Sequence, residues 1–380
     1  MNIQKKTKFG ITRLLAVAGV LLGSVFSCVT NYRTISTIKP DGSIFREIYA
    51  RGDSAFLSGD PSKNPYLFQL DSGWQISVLN TDNSVGQDYN VKIGKLFHSP
   101  EEISRNLQFD EDYRPIVAPA ETLQKHFRWF YTYYSYKAVY ANIADKIPVS
   151  INDYLNVPEQ KLWFQGDFSA YPDMNGMELK DEMDDIEKRF GKWHARNVYE
   201  NRFKAILDFE KLSGGRYLSQ MKEMEDTLFT VLFKDYDFIE NIPETATLYN
   251  CLDKQLNTNY FYNTFKANRS VIDSLTMEKE KYLENMENKL FGNEIAYELL
   301  MPGKLLSANA PVHCQDTLIW KINAFRYLSD DYVLTAESRT ANAWAFAVTF
   351  VLIALSIYYW IRSRNVKIPV FYPQPPKGGF

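Results

Sequence analysis

The sequence has few of the residues from which catalytic and metal sites are usually built. Its 380 residues include only four histidines and three cysteines. No HExxH, paired CxxC or EF-hand loop occurs, and there is no GxxxxGKS/T or GxGxxG phosphate loop. The motifs of zinc proteases, zinc domains, calcium sensors and nucleotide-binding enzymes are therefore missing. We expect neither a cofactor nor a bound metal.

Charge of one sign is not in excess either. Lysine and arginine number 43 against 46 aspartates and glutamates, which leaves a formal net charge of −3. Such a balanced chain does not attract nucleic acid as a whole, so we expect no nucleic-acid partner. What the sequence does have is 45% hydrophobic and 15% aromatic residues. This composition predicts a folded chain with large buried ring contacts.

The N-terminus has the pattern of an export signal. Residues 1–28 begin with basic side chains, and the uncharged segment Leu14–Phe26 follows. That segment is shorter than the roughly 20 apolar residues of a membrane span. It leads into Val-Phe-Ser-Cys, which resembles a bacterial lipobox, although Phe26 stands where a small residue is usual. The resemblance implies lipidation of Cys28, and an uncleaved signal anchor or ordinary cleavage nearby are the alternatives.

The C-terminus contains the longest uncharged run. Thr340–Ile361 has 22 residues without a charge. As a helix it would be about 33 Å long, enough to cross the hydrocarbon core of a bilayer. Trp344 near one end and three aromatic residues near the other fit the two interfaces. Arg362 and Arg364 follow directly, so the positive-inside rule puts the tail in the cytoplasm. The alternative is a buried core helix.

The two ends together predict a topology. A signal would send the chain from residue 29 across the bacterial inner membrane, and the final helix would return it. The main domain would then be periplasmic, with the membrane and an envelope protein as its partners. In that oxidising space Cys251 and Cys314 form a candidate disulfide, and two unpaired thiols are the alternative.

The exported region changes its pattern near residue 176. Before that point, alternating segments predict a hairpin of Tyr32–Ile38 with Ser43–Ala50, and one long strand over His126–Tyr140. Beyond it, a first helix is predicted from an apolar stripe at 4-3-4-3 spacing, formed by Leu179, Met183, Ile186, Phe190 and Trp193. A second helix is predicted over Tyr217–Ile239.

Strand-like sequence returns before the final helix. Leu300–Asn309 and Thr317–Lys321 are predicted to pair as a hairpin. A PGK…SN stretch followed by a strand with Trp320 and then an apolar helix resembles the last strands of LppM-like lipoproteins. The resemblance covers about 40 residues. It implies an architecture and no activity, and the long helical section departs from that family.

We therefore predict an α+β fold, a β-rich exported domain with an inserted helical section, plus one C-terminal transmembrane helix. The N-terminal strands and the last strands would form one sheet assembly, with both anchors on the same side of it. The predicted divisions are a signal peptide of lipoprotein type (1–28), a β-rich exported region (29–175), a helical insertion (176–300), membrane-proximal strands (301–340), a transmembrane helix (341–361) and a cytoplasmic tail (362–380).

The aromatic strand supplies the candidate ligand surface. Amphipathic rings are common on surfaces that bind peptide, glycan or lipid. The alternative is that these rings pack in a core between the sheet and the helices. The candidate residues are Trp129, Tyr131, Tyr133, Tyr134 and Tyr136.

No catalytic residue is predicted. Gly52-Asp53-Ser54 invites comparison with hydrolases that carry their nucleophile in such a block. No histidine of this chain follows an aspartate by three residues, so the matching base is missing. His194 lies beside Arg196 and Glu200, whose i,i+4 spacing predicts an ordinary exposed ion pair. General acid–base catalysis by His194 is the alternative.

These patterns favour a non-enzymatic, membrane-anchored envelope protein that presents a periplasmic domain for scaffolding, sensing or partner binding. The first alternative is a lipid- or hydrophobe-binding module, with a cavity between the aromatic strand and the inserted helices. The second is an unrecognised hydrolase.

Overall fold

The computed structural model describes residues 30–79, 89–232 and 245–364. The predicted α+β fold class is confirmed by two β-sheets, a helical section and one apolar C-terminal helix. The strands are β1 (Thr30–Ile38), β2 (Ile44–Ala50), β3 (Gln75–Val78), β4 (Val91–Phe97), β5 (Ala120–Phe127), β6 (Tyr131–Tyr140), β7 (Asn293–Leu300), β8 (Lys304–Ala308), β9 (Val312–Cys314), β10 (Thr317–Ile322) and β11 (Tyr332–Ala341).

The helices divide into short turns between strands and a long central group. They are α1 (Ser54–Leu57), α2 (Glu101–Asn106), α3 (Arg114–Val117), α4 (Val157–Gln160), α5 (Gly176–Leu212), α6 (Leu218–Glu223), α7 (Glu225–Leu232), α8 (Thr245–Leu256), α9 (Tyr260–Leu290) and α10 (Ala343–Arg364). A π-helical turn covers Lys161–Gln165, and short 3-10 helices cover Pro61–Lys63, Glu111–Tyr113, Ala144–Lys146, Ile151–Asp153 and Ala324–Tyr327.

The larger sheet has seven strands in the order β3-β4-β2-β1-β7-β10-β9. The predicted hairpin at its N-terminus is confirmed, because β1 pairs antiparallel with β2 from Arg33↔Tyr49 to Ile38↔Ile44. On its other side β1 pairs in parallel with β7, starting at Thr30↔Asn293. The N-terminal hairpin and the late strand β10 therefore belong to one sheet, as the sequence predicted, whereas the strand β7 that lies between them was not predicted.

The smaller sheet has four strands in the order β5-β6-β11-β8. The single strand predicted over His126–Tyr140 is wrong, since the chain reverses at residues 128–130 and forms the β5–β6 hairpin. The turn sequence Arg-Trp-Phe contains no glycine, proline, asparagine or aspartate, so the usual signal for a turn is absent. Alternate side chains of β6 are buried against the seven-stranded sheet, which makes the two sheets a sandwich with one shared core.

The predicted hairpin of Leu300–Asn309 with Thr317–Lys321 is also wrong. Strand β8 pairs with β11 in the smaller sheet, whereas β10 pairs with β7 and β9 in the larger one. The crossing between sheets occurs at Gly303, whose φ is +76°. A side chain there would collide with the carbonyl of Arg339, so the close approach requires glycine.

The helical insertion starts where it was predicted and ends earlier. Asn175 caps α5 through a capping box with Glu178, which fixes the start at Gly176. The last predicted residues, Asn293–Leu300, form the central strand β7 instead of helix. The helix predicted over Tyr217–Ile239 is divided into α6 and α7, and its residues from 233 onward lie outside the described part. We call helices α5–α9 the helical arm.

The arm has its own hydrophobic core. One cluster fills the sandwich and includes the first part of α5. A second cluster lies between α5, α6, α7, α8 and α9, and it includes Phe203, Leu252 and Phe261. The connection between the two is aromatic, because Phe190 of α5 contacts Trp163, Phe164 and Phe325 of the sandwich.

Helix α10 is the described helix that is long and apolar enough to cross a membrane. Only 6% of its most apolar 18-residue stretch is buried, whereas the core helix of a soluble protein is mostly buried. It begins at Ala343, two residues after the predicted start, because Ala341 still pairs with Tyr131 in the sheet. Residues 365–380 of the predicted tail lie outside the described residues, and so does the signal with Cys28.

Candidate functional site

A single residue, Asn342, joins the last strand of the sandwich to α10. Its backbone N–H donates to the Phe130 carbonyl at 2.9 Å. Its side-chain amide donates to the carbonyls of Arg128 and Trp129 at 2.8 and 3.2 Å. Its Oδ1 accepts from Thr132 Oγ1 at 2.9 Å, and its own carbonyl accepts from the N–H of Ala345. Asn342 thus ties the β5–β6 turn to the start of α10.

Aromatic rings of the β5–β6 turn pack on the first turns of α10. Phe127 stacks on Trp344 with centroids 6.2 Å apart, and Trp129 meets the same ring edge-on at 5.2 Å. Phe130 contacts Phe346 at 4.8 Å. The Trp129 indole also donates to Thr349 Oγ1 at 2.8 Å, so the hairpin lies alongside nearly two turns of the helix. We call Phe127–Tyr131 with Asn342–Thr349 the junction.

The five residues of the predicted ligand surface do not form one surface. Trp129 is at the tip of the turn, and the half-buried Tyr131 and Tyr133 lie on one face of β6. Tyr134 and Tyr136 point into the sandwich and are 2% and 1% exposed. The buried Tyr134 and Tyr136 follow the alternative of core packing, because side chains alternate between faces along the strand, and ligand binding at Trp129, Tyr131 and Tyr133 stays a prediction.

The sandwich interior holds a buried ion pair between its sheets. Arg46 of β2 binds Glu121 of β5 through two hydrogen bonds of 2.8 Å. Tyr136 donates to Glu121 at 2.7 Å, and its hydroxyl lies 2.7 Å from that of Tyr297. Arg46 also donates to Tyr297 Oη at 3.1 Å and to Ser36 Oγ at 3.0 Å. Every charged oxygen and nitrogen named here has a partner, so the cluster satisfies itself.

The protonation states of this cluster follow from burial. Burial alone would lower the pKa of Arg46, but the Glu121 carboxylate reverses this and holds the pKa well above its usual value. Burial raises the pKa of Tyr136 far above its ordinary value, and burial also raises that of Tyr297. Both phenols remain protonated at neutral pH, so the cluster connects the sheets and holds no activated nucleophile.

The described residues enclose one cavity inside the sandwich and another beside the π-helical turn. The first has a volume of about 50 Å³ and lies in the sandwich between Tyr32, Ile48, Tyr140 and Tyr297. The second, about 150 Å³, lies between the π-helical turn and the loop before β11, and Gln160, Phe164 and Arg326 line it. Both cavities are smaller than the several hundred Å³ of a typical ligand pocket.

The residues weighed as catalytic have structural roles or no polar partner. Asp53 caps α1 by accepting from the Phe56 N–H at 2.8 Å, and Ser54 is the first residue of that helix. His194 is half-buried in α5, where burial lowers its pKa, and its Nδ1 has no hydrogen-bond partner in the described chain. His126 is exposed on β5. Across residues 30–79, 89–232 and 245–364 no three metal-ligating side chains come together.

The candidate disulfide is not formed. Cys251 is a half-buried free thiol on α8 of the arm, and Cys314 is an exposed free thiol on the edge strand β9. The prediction rested on an even count of cysteines and the inferred compartment. Neither the count nor the compartment indicates that Cys251 belongs to the arm and Cys314 to the sandwich.

Sequence reasoning missed both the junction and the ion pair. Asn342 had a local signal, because one asparagine between an alternating strand and an apolar helix is a usual helix cap. Arg46 had none that distinguishes it from other charged strand residues. Its partner is 75 positions away, and only the packing of two sheets brings them together.

No protein-family model matches the chain, and no curated protein matches its sequence. One solved structure that aligns with it is the folded domain of LppM from Mycobacterium tuberculosis, determined by NMR. The alignment has 8% identity, covers 83% of this chain and 91% of that one, and has a TM-score of 0.24. At that score the resemblance is weak, and neither fold nor function is inferred from it. The apolar helix α10 indicates association with a membrane.

Proposed function

We propose that this chain is a non-enzymatic envelope protein of the bacterial inner membrane that presents a periplasmic domain to a protein partner. Helix α10 would be its anchor, and the basic Arg362 and Arg364 at its end would face the cytoplasm. The observation that carries the proposal is the junction, where one hydrogen-bonded residue separates the sandwich from the anchor. A domain held in this way keeps a fixed position at the membrane surface.

The arm leaves the sandwich at the end opposite the junction. Strand β6 runs away from the junction for about 30 Å, from Tyr131 to Tyr140. At that far end the Trp193 indole donates to the Val149 carbonyl at 2.8 Å, and the chain returns from α9 at Asn293. The sandwich would thus act as a spacer between the membrane and the arm. This arrangement supports scaffolding or partner binding by the arm.

The alternatives have less support. A lipid- or hydrophobe-binding module needs a pocket of several hundred Å³, whereas the two cavities described above measure about 50 and 150 Å³. A hydrolase needs a base that contacts a nucleophile, and His194 Nδ1 has no hydrogen-bond partner in the described chain. Lipidation at Cys28 lies outside the described residues and stays a prediction.

Site-specific photo-crosslinking in intact cells tests the proposal. A photoreactive phenylalanine replaces Val271 or Met277, which are exposed apolar residues of α9 at 48% and 65% exposure. The matched control replaces Val312, an equally exposed residue of β9 at 52%. We expect one discrete protein adduct from the arm positions and none from Val312. Absence of an adduct from both arm positions, with normal protein levels, would contradict partner binding through the exposed surface of α9.

Topology is tested separately with the same full-length chain. A reporter that is active only in the periplasm, fused after residue 380, is expected to be inactive, and a cytoplasmic reporter is expected to be active. The reverse pattern would place the tail outside the cytoplasm and overturn the proposed orientation.

A further inference from the structure

We propose that the tip of the β5–β6 hairpin, Arg128–Tyr131, lies in the headgroup interface of the membrane that α10 crosses. It would be a second membrane contact of the sandwich, made by protein side chains and independent of the anchor helix itself. The inference rests on the proposed function, because it requires α10 to span a bilayer.

The composition of the tip is the first argument. Reciprocal backbone hydrogen bonds between Arg128 and Tyr131, of 2.8 and 3.2 Å, close a turn with Trp129 and Phe130 at its centre. Two-residue hairpin turns in water favour asparagine, aspartate and glycine. Here two large rings remain 45% and 38% exposed, beside Phe127 at 59%. Exposed rings of this size cost free energy in water and gain it in a membrane interface.

The depth of the tip is the second argument. The Trp129 indole donates to Thr349, which is five residues beyond Trp344 and therefore about 8 Å further along α10. If Trp344 lies in the interface, as tryptophans near the ends of membrane spans do, Trp129 lies at or below the same level. A helix that crosses the bilayer thus carries the hairpin tip into the interface with it.

Cations at the tip are the third argument. The exposed Arg128 guanidinium lies 5.2 Å from the Tyr133 ring, and that of Arg339 lies 4.4 Å from the Tyr131 ring. Neither arginine forms an ion pair within the described ranges. In a membrane interface the aromatic rings would contact acyl chains, and the guanidinium groups above them would bind the phosphates of the lipid headgroups. The occupant that fits is the lipid interface, with Arg128 near the phosphate groups.

Quenching of tryptophan fluorescence by brominated lipids tests this placement. The full-length chain is reconstituted in phosphatidylcholine–phosphatidylglycerol vesicles whose acyl chains carry bromine either near the headgroup or near the chain end. The signal of Trp129 is the difference between the unchanged protein and Trp129→Phe. The matched control is Trp163→Phe, because Trp163 packs on Phe190 at the root of the arm.

We expect the Trp129 difference signal to be quenched more by bromine near the headgroup than by bromine near the chain end, and the Trp163 signal to be unquenched. In the Trp129→Phe background, Phe130→Trp should restore the shallow quenching, which also shows that the tip is intact. A Trp129 signal as unquenched as that of Trp163, with other tryptophans still quenched, would overturn the inference and leave the anchor in place. No quenching of any tryptophan would overturn the proposed anchoring as well.

Discussion

Arg46 and Glu121 connect the two sheets through a bidentate pair whose residues are 5% and 4% exposed. Two charges taken out of water at this depth are costly unless each satisfies the other. Removal of one partner therefore leaves an uncompensated charge in the core, whereas removal of both leaves no charge, and the Tyr136 and Tyr297 hydroxyls still bond each other. The pair makes the relative position of the sheets depend on two individual side chains.

Single substitutions at this pair should be more harmful than the double one. Arg46→Met or Glu121→Leu alone should lower the free energy of unfolding by about 3–5 kcal/mol, because the remaining charge stays buried. The double variant should lose less than either single variant. Denaturant unfolding, followed by the near-UV signal of the sandwich aromatics, measures the difference.

The matched control is the surface pair of Lys321 with Glu294, whose side chains are 66% and 32% exposed at an N–O distance of 3.4 Å. Its removal should change the free energy of unfolding by about 0–1 kcal/mol. If the double variant at positions 46 and 121 proved as unstable as the sum of both single variants, the two residues would not be coupled.

Helix α7 is held against α5 by a group of charged side chains. Arg196 of α5 bonds Glu200 at 2.7 Å and Asp226 at 2.9 Å, and it lies 3.8 Å from Glu225. Burial and, second to it, the neighbouring Glu200 carboxylate together raise the pKa of Glu225 to about 7. The packing of α7 against α5 should therefore depend on pH.

The direction follows from the raised pKa. Between the unfolded value of 4.5 and the folded value of about 7, the folded arm binds the additional proton. The stabilisation is complete below the lower value and is lost as pH rises through the higher one. Glu225→Gln, which stays neutral, should remove this decline and make α7 more resistant to amide exchange at about pH 8 than the unchanged protein.

Amide hydrogen exchange of α7 from about pH 5 to about pH 8, corrected for the intrinsic pH dependence of exchange, measures this effect. The control is Glu223→Gln, a change of the same kind at an exposed position of α6. The interpretation fails if Glu225→Gln and Glu223→Gln have the same pH profile.

Local pattern was sufficient for some elements and insufficient for others. The start of α5 and the β1–β2 hairpin were predictable because Asn175 caps the one and an Asp-Gly turn marks the other. The β5–β6 turn was missed because its tip carries rings in place of turn-forming residues. Strand β7 was missed because its eight alternating residues follow directly on the helical pattern of α9, and its partner β1 is more than 250 positions away. Long-range pairing of this kind is not written in local sequence.

The whole molecule has two hydrophobic cores, and each should respond separately to damage. Phe203 is fully buried in the core of the arm, where it stacks on Tyr199 at 5.4 Å. Phe97 is 2% exposed in the core of the sandwich. The two clusters share no residue, so a cavity in one leaves the packing of the other intact.

Phe203→Ala should cost the arm about 3–5 kcal/mol and accelerate amide exchange in α8 and α9, with little change in β6 and β11. Phe97→Ala is the reciprocal control and should accelerate exchange in the sandwich strands. Hydrogen exchange with mass spectrometry resolves the two regions. Equal acceleration everywhere in both variants would mean that arm and sandwich unfold as one unit.

Strand β1 begins at the end of the sandwich far from the junction. The turn that follows β1 is close to the junction, since Lys125 and Tyr134 both donate to the Pro40 carbonyl at 2.8 Å. Thr30, at the other end of β1, is therefore about 26 Å from that turn along the strand. The described chain thus starts at the end of the sandwich away from α10, and the predicted first anchor, which was expected on the same side as α10, lies outside the described residues.

Chain length now sets a limit on lipidation. Two peptide steps separate Cys28 from Thr30, a reach of about 7 Å at most. With the strands upright on α10, the backbone of Cys28 would remain roughly 20 Å from the leaflet that Trp129 is proposed to touch, a gap comparable to the length of an extended acyl chain. An acyl chain that bridged this gap would lie in water and not in the leaflet, so an upright sandwich disfavours a lipid on Cys28 in that leaflet. Lipidation would favour a sandwich that lies along the membrane, or acyl chains that enter a second, facing membrane.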